Sequence, residues 1–502
     1  MNAATNRFHL PTKCRWVLLA LAIVCSLWLF AAANSHAQES YDLVLANGRV
    51  MDPGSGLDAV RNIGIVDGRI AAISEESLEG EQVLDVSGLV VAPGFIDLHA
   101  HAHDTITHGF LARDGVTTAL EMEGGVMLVG EWYAEHEGTS LINFGAAVSH
   151  PGARVEVLEP DPDALEGLGD SDHWSHDVAD AEQIEAIVEV IRQGLDEGAI
   201  GIGFGVQYTP GATRDEIWRV YQAGAEEGVT GFAHVRFASM TEPGSSVEAM
   251  QEMIAIAATG ASVHMCHIAS TGLGKVPIML EMFDAARAMG LDISTEVYPY
   301  TASSSFIGAA IFDPGWRERL GRDYENIVWA ATNEPLTEET FNRYRAEEPN
   351  GSIVAHVMDE ENVIAALQHP DVMIAADGGS LADGHGHPRS AGRHARVLGV
   401  YVREMGVLTL MDAIRKMTLL PAQRMETAVS SMADKGRIQV GADADLTIFD
   451  PETVIDNATF AEPALQSTSI PYVLVGGTIV VENSEIVADA LPGQPVRREI
   501  KQ

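Results

Sequence analysis

The chain has 502 residues, of which 46% are hydrophobic and 21% are charged, and this composition predicts a globular protein of one large or two unequal domains. The 72 acidic residues outnumber the 31 Lys and Arg residues, and the resulting formal charge of -41 argues against nucleic acid as a partner. Three cysteines are too few for a disulfide framework or a cysteine-rich zinc module.

The amino-terminal segment has the three parts of a secretory signal peptide. Residues 1–15 carry basic and no acidic side chains, residues 16–33 are almost entirely apolar, and Ser35 and Ala37 are the small residues of a cleavage site. We therefore expect residues 1–37 to be removed during export to the periplasm or the medium, with no stable membrane insertion afterwards. An uncleaved membrane anchor is the alternative interpretation.

Short apolar strands separated by turn residues occur at both ends of the chain. They fill residues 41–92, and the pattern returns in residues 435–450 and 472–486. Neither piece alone buries much apolar surface. We therefore predict a small β-sandwich domain assembled from residues 38–93 and 433–490.

The central region alternates strand-like and helical segments. The strand-like segments begin near residues 95, 117, 141, 199, 231, 262, 292 and 372. Helices are predicted between them, for example over 181–196 and over 213–227, where Thr213 and Glu216 suggest a capping box. This pattern predicts an α/β fold, a (β/α)8 TIM-type barrel over residues 94–432, with a lid-like insertion at about 306–370.

Polar side chains lie at the predicted ends of the barrel strands, where barrel enzymes have their active sites. They are His99 and His101 on the first strand, His234 on the fifth, His267 on the sixth and Asp377 on the eighth. Imidazole and carboxylate groups are suitable ligands for zinc, so we predict one or two divalent ions here. Hydrogen-bonded rim residues would be the alternative for any single histidine.

A pair of metal ions also requires a bridging anion, and the second strand offers Glu121 and Glu123 on one face. We favour Glu123, because it lies closer to the strand end and precedes Gly124 and Gly125, while a rim salt bridge is the alternative for either residue. Strand alternation predicts that Cys266, next to His267, points away from the metal and packs in the core.

Several segments resemble a known enzyme family. PGFIDLHAH at 93–101 and KGRIQVGADADLTIFDP at 435–451 are similar to the metal-dependent amidohydrolase superfamily, over nearly the whole chain after residue 37. Further segments resemble its D-aminoacylase branch, the N-acyl-D-amino-acid deacylases: GAIGIGFGVQYTPG at 198–211, CHIAS at 266–270, VYPYTASS at 297–304, and ADGG at 376–379 followed by HPRSAGRHARVLGVYVRE at 387–404.

The resemblance implies metal-dependent hydrolysis of the amide bond of a small N-acyl-D-amino acid, with the four histidines as ligands and Asp377 as both ligand and general acid/base. It implies that Arg389 and either Tyr298 or Tyr300 hold the substrate carboxylate, and that Tyr208 lines the pocket. The chain departs from the branch at two places: only acids stand where a bridging cysteine is expected, and Ala269 replaces a lysine that reads acidic side chains in some relatives.

Three functions remain open from the sequence. Besides a deacylase, the chain could be another amidohydrolase of the superfamily, such as a cyclic amidase or a dipeptidase for D-residues, which would differ in the lining of its pocket. A non-catalytic barrel that only binds is the remote alternative, and the complete set of predicted metal ligands argues against it. The sequence leaves the oligomeric state open.

Overall fold

The structure of the protein is a computed structural model, and it describes residues 40–159 and 173–501. The predicted signal peptide, residues 1–37, lies outside these described residues. Within the described ranges, no helix is long and apolar enough to cross a membrane.

The strands are numbered along the chain. The first five are β1 (Tyr41–Asp52), β2 (Leu57–Val66), β3 (Arg69–Ser74), β4 (Gly80–Asp85) and β5 (Val90–Pro93). Seven central strands follow: β6 (Phe95–Asp97), β7 (Val116–Val126), β8 (Asn143–Ser149), β9 (Ile202–Gly205), β10 (Thr230–His234), β11 (Ser262–Met265) and β12 (Ile293–Val297). The remaining strands are β13 (Ser303–Phe306), β14 (Ile327–Trp329), β15 (Glu334–Pro335), β16 (Ser352–Ala355), β17 (Val372–Ile374), β18 (Leu446–Phe449), β19 (Tyr472–Val475), β20 (Thr478–Glu482) and β21 (Glu485–Ile486).

The helices lie mainly between the central strands. Up to β12 they are Thr105–Arg113, Val129–His136, His150–Leu158, His173–His176, Ala181–Asp196, Arg214–Glu227, Ser246–Ala257, Ile268–Gly272 and Val276–Ala288. Beyond β12 they are Trp316–Leu320, Glu338–Glu347, Glu360–Gln368, Arg389–Arg396, the π-helix Val397–Glu404, Leu410–Met417 and Leu419–Met425.

The eight strands β6–β12 and β17 form a parallel barrel, as the sequence predicts. They pair in chain order from β6 to β12, with β17 next to β12. The barrel closes just beyond the strand ends, where the amide of His101 donates to the carbonyl of Gly378 and the amide of Asp377 donates to the carbonyl of His99, both at 2.9 Å. Buried apolar side chains fill its interior, among them Ile96, Leu98, Leu120, Met122, Phe232 and Met373.

The two chain ends form one sheet of nine strands, in the order β21-β20-β19-β18-β5-β1-β2-β3, with β4 paired to β1. Antiparallel pairing of β18 with β5 joins the two ends, and apolar side chains from both share one buried core, for example Leu45, Ile63, Leu446 and Leu474. Beyond this sheet, the last residues return to the barrel, where Val496 is buried among the interior side chains.

The segment between β12 and β17, which includes the predicted insertion at about 306–370, contains helices and also a small sheet. Strands β13, β16, β14 and β15 form a small antiparallel sheet. These strands are short and begin at Ser303, where the sequence shows no clear apolar alternation, so the pattern did not indicate them. The small sheet contributes Ser304, Ser305 and Phe306 to the wall of a cavity at the mouth of the barrel.

The sequence predicted the starts of two helices, with one error in the capping contacts. The helix Ala181–Asp196 begins after Asp180, as expected, and the helix Arg214–Glu227 begins after Thr213, whose side chain accepts from the amide of Glu216. The second half of the predicted capping box is wrong, because the Glu216 carboxylate is buried and pairs with His150 and Arg154 instead. A buried cation competes better for a carboxylate than the backbone amide at a helix start.

Candidate metal centre

Six predicted site residues meet at the carboxyl-terminal end of the barrel. They are His99 and His101 after β6, Glu123 within β7, His234 at the end of β10, His267 after β11 and Asp377 after β17. The last two residues of this group have left-handed backbone conformations, with φ of 35° and 56°. Such values are uncommon for residues other than glycine, and here they turn both side chains toward the barrel axis after their strands have ended.

Glu123 lies at the centre of this group. Its Oε1 is 2.7 Å from Nε2 of His267 and 3.3 Å from Nδ1 of His234. Its Oε2 is 3.2 Å from Nε2 of His99 and 3.4 Å from Nε2 of His101. One carboxylate therefore contacts four imidazoles, with one oxygen directed to each pair.

The cluster divides into two overlapping sets of donor atoms that share Glu123. One set is His99, His101, Glu123 and Asp377, and the other is Glu123, His234 and His267. Within each set, all donor atoms lie within 4.8 Å of one another. This spacing allows each set to surround one divalent ion, with the shared carboxylate between the two ions.

Each imidazole is also held on the side that faces away from the centre. Nδ1 of His99 lies 2.5 Å from Oε1 of Glu296, and Nδ1 of His101 lies 3.0 Å from Oε2 of Glu121. Nε2 of His234 lies 2.9 Å from Oε1 of Gln207. For His267, the hydroxyl of Ser270 is 2.9 Å from Nδ1. With the outer nitrogen bound in this way, the inner nitrogen presents a lone pair to the centre, which is the arrangement of metal-binding histidines.

The two candidate carboxylates of β7 have different positions. Glu123 lies between the imidazoles, whereas Glu121 lies behind His101 and accepts from the amides of Gly124 and Gly125 at 3.1 and 3.2 Å. The two glycines allow the chain to turn back over the Glu121 carboxylate, so their backbone amides donate hydrogen bonds to it. Glu121 is therefore placed to orient His101 and not to bridge two ions.

The electrostatics of the cluster show an excess of negative charge. Burial lowers the pKa of His99, but the carboxylates of Glu123, Glu296 and Asp377 outweigh it and raise that pKa well above its ordinary value. Burial raises the pKa of Glu123, but the surrounding imidazoles outweigh burial and hold that pKa well below its usual range. A cation bound between these groups would balance the carboxylates.

Asp377 is paired with Arg389 at the edge of the cluster. Nη1 of Arg389 lies 2.8 Å from Oδ2 of Asp377, and Oδ1 of Asp377 is 3.4 Å from Nε2 of His101. Burial raises the pKa of Asp377, but Arg389 and the imidazoles outweigh it and keep that pKa below its ordinary value. Nε of Arg389 is buried and has no hydrogen-bond partner among the described residues, so the guanidinium retains donor capacity for a ligand.

The two predicted tyrosines lie in different surroundings. The guanidinium of Arg389 lies 4.6 Å from the ring centre of Tyr298, whereas the ring of Tyr300 lies under Arg396 and its hydroxyl is 3.5 Å from Oδ2 of Asp456. On a continuous strand, these two side chains would share a face, but β12 ends at Val297 and the alternation ends with it. The structure thus brings the ring of Tyr298 to the Arg389 guanidinium and places Tyr300 against Arg396 and Asp456.

A cavity of about 530 Å³ opens next to the cluster, and Tyr208 lines it as the resemblance implies. The Tyr208 ring lies 4.8 Å from that of His234, and its hydroxyl is 3.1 Å from Oγ of Ser305. His101, Glu123, Asp377 and Arg389 also line this cavity. A small molecule bound in it would contact both the histidine cluster and the guanidinium.

Comparison with known proteins identifies the family. Residues 82–481 match the amidohydrolase family. The chain belongs to this family. It is 31% identical to an N-acyl-D-glutamate deacylase of Alcaligenes xylosoxydans xylosoxydans, over 92% of this chain and 98% of the relative, and 30% identical to a D-aminoacylase of the same organism, over 88% and 95%.

Two solved structures have the same fold. A crystal structure of D-aminoacylase aligns with a TM-score of 0.77 at 25% identity, covering 91% of this chain and 100% of the other. N-acyl-D-glutamate deacylase from Bordetella bronchiseptica, complexed with zinc and a phosphonate mimic of the tetrahedral intermediate, aligns with a TM-score of 0.76 at 28% identity, covering 91% and 100%.

The sequence did not indicate all the residues that support the cluster of this amidohydrolase. Glu296, which holds His99, and His264, which lies 3.1 Å from the second oxygen of Glu296, were missed. The signal was present, because an acid within the otherwise buried strand β12 requires a partner. Gln207 gave no such signal, since a polar residue in a loop is common.

Cys266 packs in the core, as predicted, but on the inner side of the barrel strands. Its side chain lies inside the barrel, within 4.8 Å of His99 and Glu296, although it is packed among apolar side chains, as expected. Alternation along β11 directs both His264 and Cys266 inward, and His267 joins them only because its left-handed backbone interrupts the alternation. Strand alternation therefore could not predict the direction of the His267 side chain, because His267 lies beyond the end of β11.

Proposed function

We propose that this amidohydrolase removes the acyl group from N-acyl-D-amino acids and that it uses one or two zinc ions. The observation that carries the proposal is the placement of Glu123 between four imidazoles, with the Asp377–Arg389 pair beside it on the wall of one cavity. Relatives at about 30% identity over most of the chain are named as deacylases of this type. Metal binding, proton transfer and carboxylate recognition are thus available at one place.

The chemistry of the donor atoms fits zinc. Imidazole nitrogens and carboxylate oxygens are among its preferred ligands, and each imidazole is oriented by a partner on its outer nitrogen. We propose His99, His101, Glu123 and Asp377 as one ligand set, with His234, His267 and the same Glu123 as the other. When bound, the metal would polarise the amide carbonyl and lower the pKa of the attacking water.

The side chains next to the ligands supply the remaining steps. Asp377 is ionised at neutral pH, so it can accept the proton of the attacking water and return it to the leaving nitrogen. Arg389 offers a planar pair of donors to the substrate carboxylate, and Tyr298 packs against its guanidinium and limits its movement. Tyr208 forms the adjacent wall of the cavity.

A hydrolysis screen tests the proposal. Purified protein is treated with a chelator, divided, and assayed with and without added zinc on N-acetyl-D-amino acids, their L enantiomers and cyclic amides. We expect zinc-dependent release of free D-amino acids and little release from the L series. Preferential hydrolysis of the cyclic amides would instead favour a cyclic amidase, and no zinc-dependent hydrolysis of any substrate would refute the proposal.

Export is part of the proposal, and it is supported by the sequence alone. Basic residues, an apolar segment and the small residues Ser35 and Ala37 precede Gln38 in the order that a secretory signal peptide requires. The test is mass spectrometry of the protein recovered from the periplasm or the medium, which should begin at Gln38. A full-length protein retained in the membrane fraction would support the anchor interpretation.

A further inference from the structure

Away from the metal centre, most of the described cavity wall is apolar or small. Away from the proposed ligands and Arg389, its larger lining residues are Met127, Pro151, Trp174, Tyr208 and Phe306, together with the polar Asn350. Between them lie glycines and serines, for example Gly152, Gly205 and Ser304. A volume of about 530 Å³ accommodates an N-acyl amino acid that has a bulky side chain.

Apart from the proposed metal centre, this cavity contains one basic side chain among its described lining residues. Arg389 is the one arginine or lysine among the described lining residues, and its guanidinium already contacts Asp377 at 2.8 Å. Residues 160–172, which the structure does not describe, contain neither lysine nor arginine in the sequence. The adjoining cavity, which shares Ser304 and Ser352 with the first, contributes the acids Glu348 and Asp383 along with His385 and His387.

Trp174 is a fixed part of the apolar wall. Its backbone amide donates to the carboxylate of Glu159 at 2.9 Å, and its carbonyl accepts from Nε of Arg154 at 2.6 Å. Arg154 is fully buried and is held in turn by both oxygens of Glu216 at 2.7 Å. Because a buried ion pair fixes its backbone, Trp174 presents its ring to the cavity without needing a ligand to position it.

From this lining we infer that the amidohydrolase selects N-acyl-D-amino acids with an uncharged, apolar side chain, and that Trp174 is a specificity-determining residue. The inference rests on the proposed function. One substrate carboxylate can pair with Arg389, but a second carboxylate, on the side chain, would face a largely apolar wall in which the described residues offer no further lysine or arginine. We therefore expect this chain to differ in substrate from its relative named N-acyl-D-glutamate deacylase.

The test compares kcat/KM for N-acetyl-D-leucine, N-acetyl-D-phenylalanine and N-acetyl-D-glutamate on the zinc-loaded protein. We expect the two apolar substrates to exceed the glutamate derivative on the order of a hundredfold, because an unpaired carboxylate is costly to bury. A preference for the glutamate derivative would overturn the inference while supporting the proposed function. Failure to hydrolyse any D-substrate would instead refute the proposed function.

Two variants separate the role of Trp174 from general damage. Trp174→Ala should lower kcat/KM for the leucine and phenylalanine derivatives by about tenfold or more, mainly through KM, and reduce the preference over glutamate. Trp218→Ala removes a tryptophan that is 40% exposed on the helix Arg214–Glu227 and serves as the matched control, which should behave as wild type. An unchanged preference in a folded Trp174→Ala protein would remove Trp174 from the proposal.

A binding measurement provides a readout that does not depend on turnover. In Asp377→Asn protein, titration calorimetry should detect N-acetyl-D-leucine at concentrations where N-acetyl-D-glutamate gives no heat. Tighter binding of the glutamate derivative would contradict an apolar pocket even if catalysis were slow in this variant.

Discussion

Replacing Glu296 with glutamine tests whether the partners on the outer side of the histidines control metal affinity. The carboxylate of Glu296 contacts two imidazoles, with Oε1 2.5 Å from Nδ1 of His99 and Oε2 3.1 Å from Nε2 of His264. Glutamine has one acceptor oxygen, so it can accept from only one of these rings, and its amide group places a donor against the other. The change also removes the negative charge that raises the basicity of His99.

The expected loss is a 10- to 100-fold weaker affinity for zinc, equivalent to about 1.4–2.7 kcal/mol. Turnover at saturating zinc should remain within a few-fold of wild type, because Glu296 does not line the substrate cavity. The assay is competition for zinc against a chelator of known affinity, followed by kinetics at saturating metal.

The matched control is Asp445→Asn, directly before strand β18 of the terminal sheet. Asp445 is also a buried carboxylate, and it pairs with Lys435 at 2.7 Å, remote from the histidines. This variant should lose stability and keep wild-type zinc affinity. If Glu296→Gln is folded and its zinc affinity stays within about twofold of wild type, the orienting role of Glu296 is refuted.

The other predictions concern catalysis, recognition and stability. Asp377→Asn should lower kcat by about 10²–10⁴-fold with little change in KM, and near-normal turnover would exclude it as general base. Arg389→Lys should raise KM more for an N-acyl amino acid than for its carboxamide, because it removes a charge-assisted pair that contributes about 1.5–3 kcal/mol. An equal rise in KM for both substrates would contradict carboxylate recognition by Arg389. Burial lowers the pKa of Lys416 from 10.5 to about 8, so the unfolded chain binds more protons between these values and stability should rise with pH there. Relative to Lys416→Met, wild type should gain up to about 3 kcal/mol in unfolding free energy across that interval, and a constant difference would contradict the lowered pKa.

The sequence predicted the barrel and the residues at its rim because both depend on local patterns. Parallel strands place their carboxyl-terminal ends on one edge of the barrel, so a polar residue at each strand end is brought to that edge whatever the path between the strands. For this reason His99, His234 and His267 could be grouped before any distance was known. The helix Ala181–Asp196 was predicted equally well, since its periodicity and start are local.

Two predictions at the barrel rim that failed or stayed open depended on the chain beyond the end of a strand. Cys266 and His267 are adjacent and both face the barrel interior, because a left-handed residue interrupts the alternation. Tyr298 and Tyr300 are two residues apart and have different surroundings, because β12 has already ended. Alternation is a property of extended backbone, and it carries no information once the backbone turns.

The sequence by itself determined the fold class, the eight strands and the set of residues that converge on the barrel mouth, because each follows from spacing along one segment. Only the tertiary structure decided that Glu123 lies between the imidazoles, that Glu296 holds His99, and that Trp174 faces the cavity. Glu296 and His99, for example, are 197 positions apart in the chain. Their distances depend on how the strands and loops pack around a common axis, and no local pattern encodes that packing.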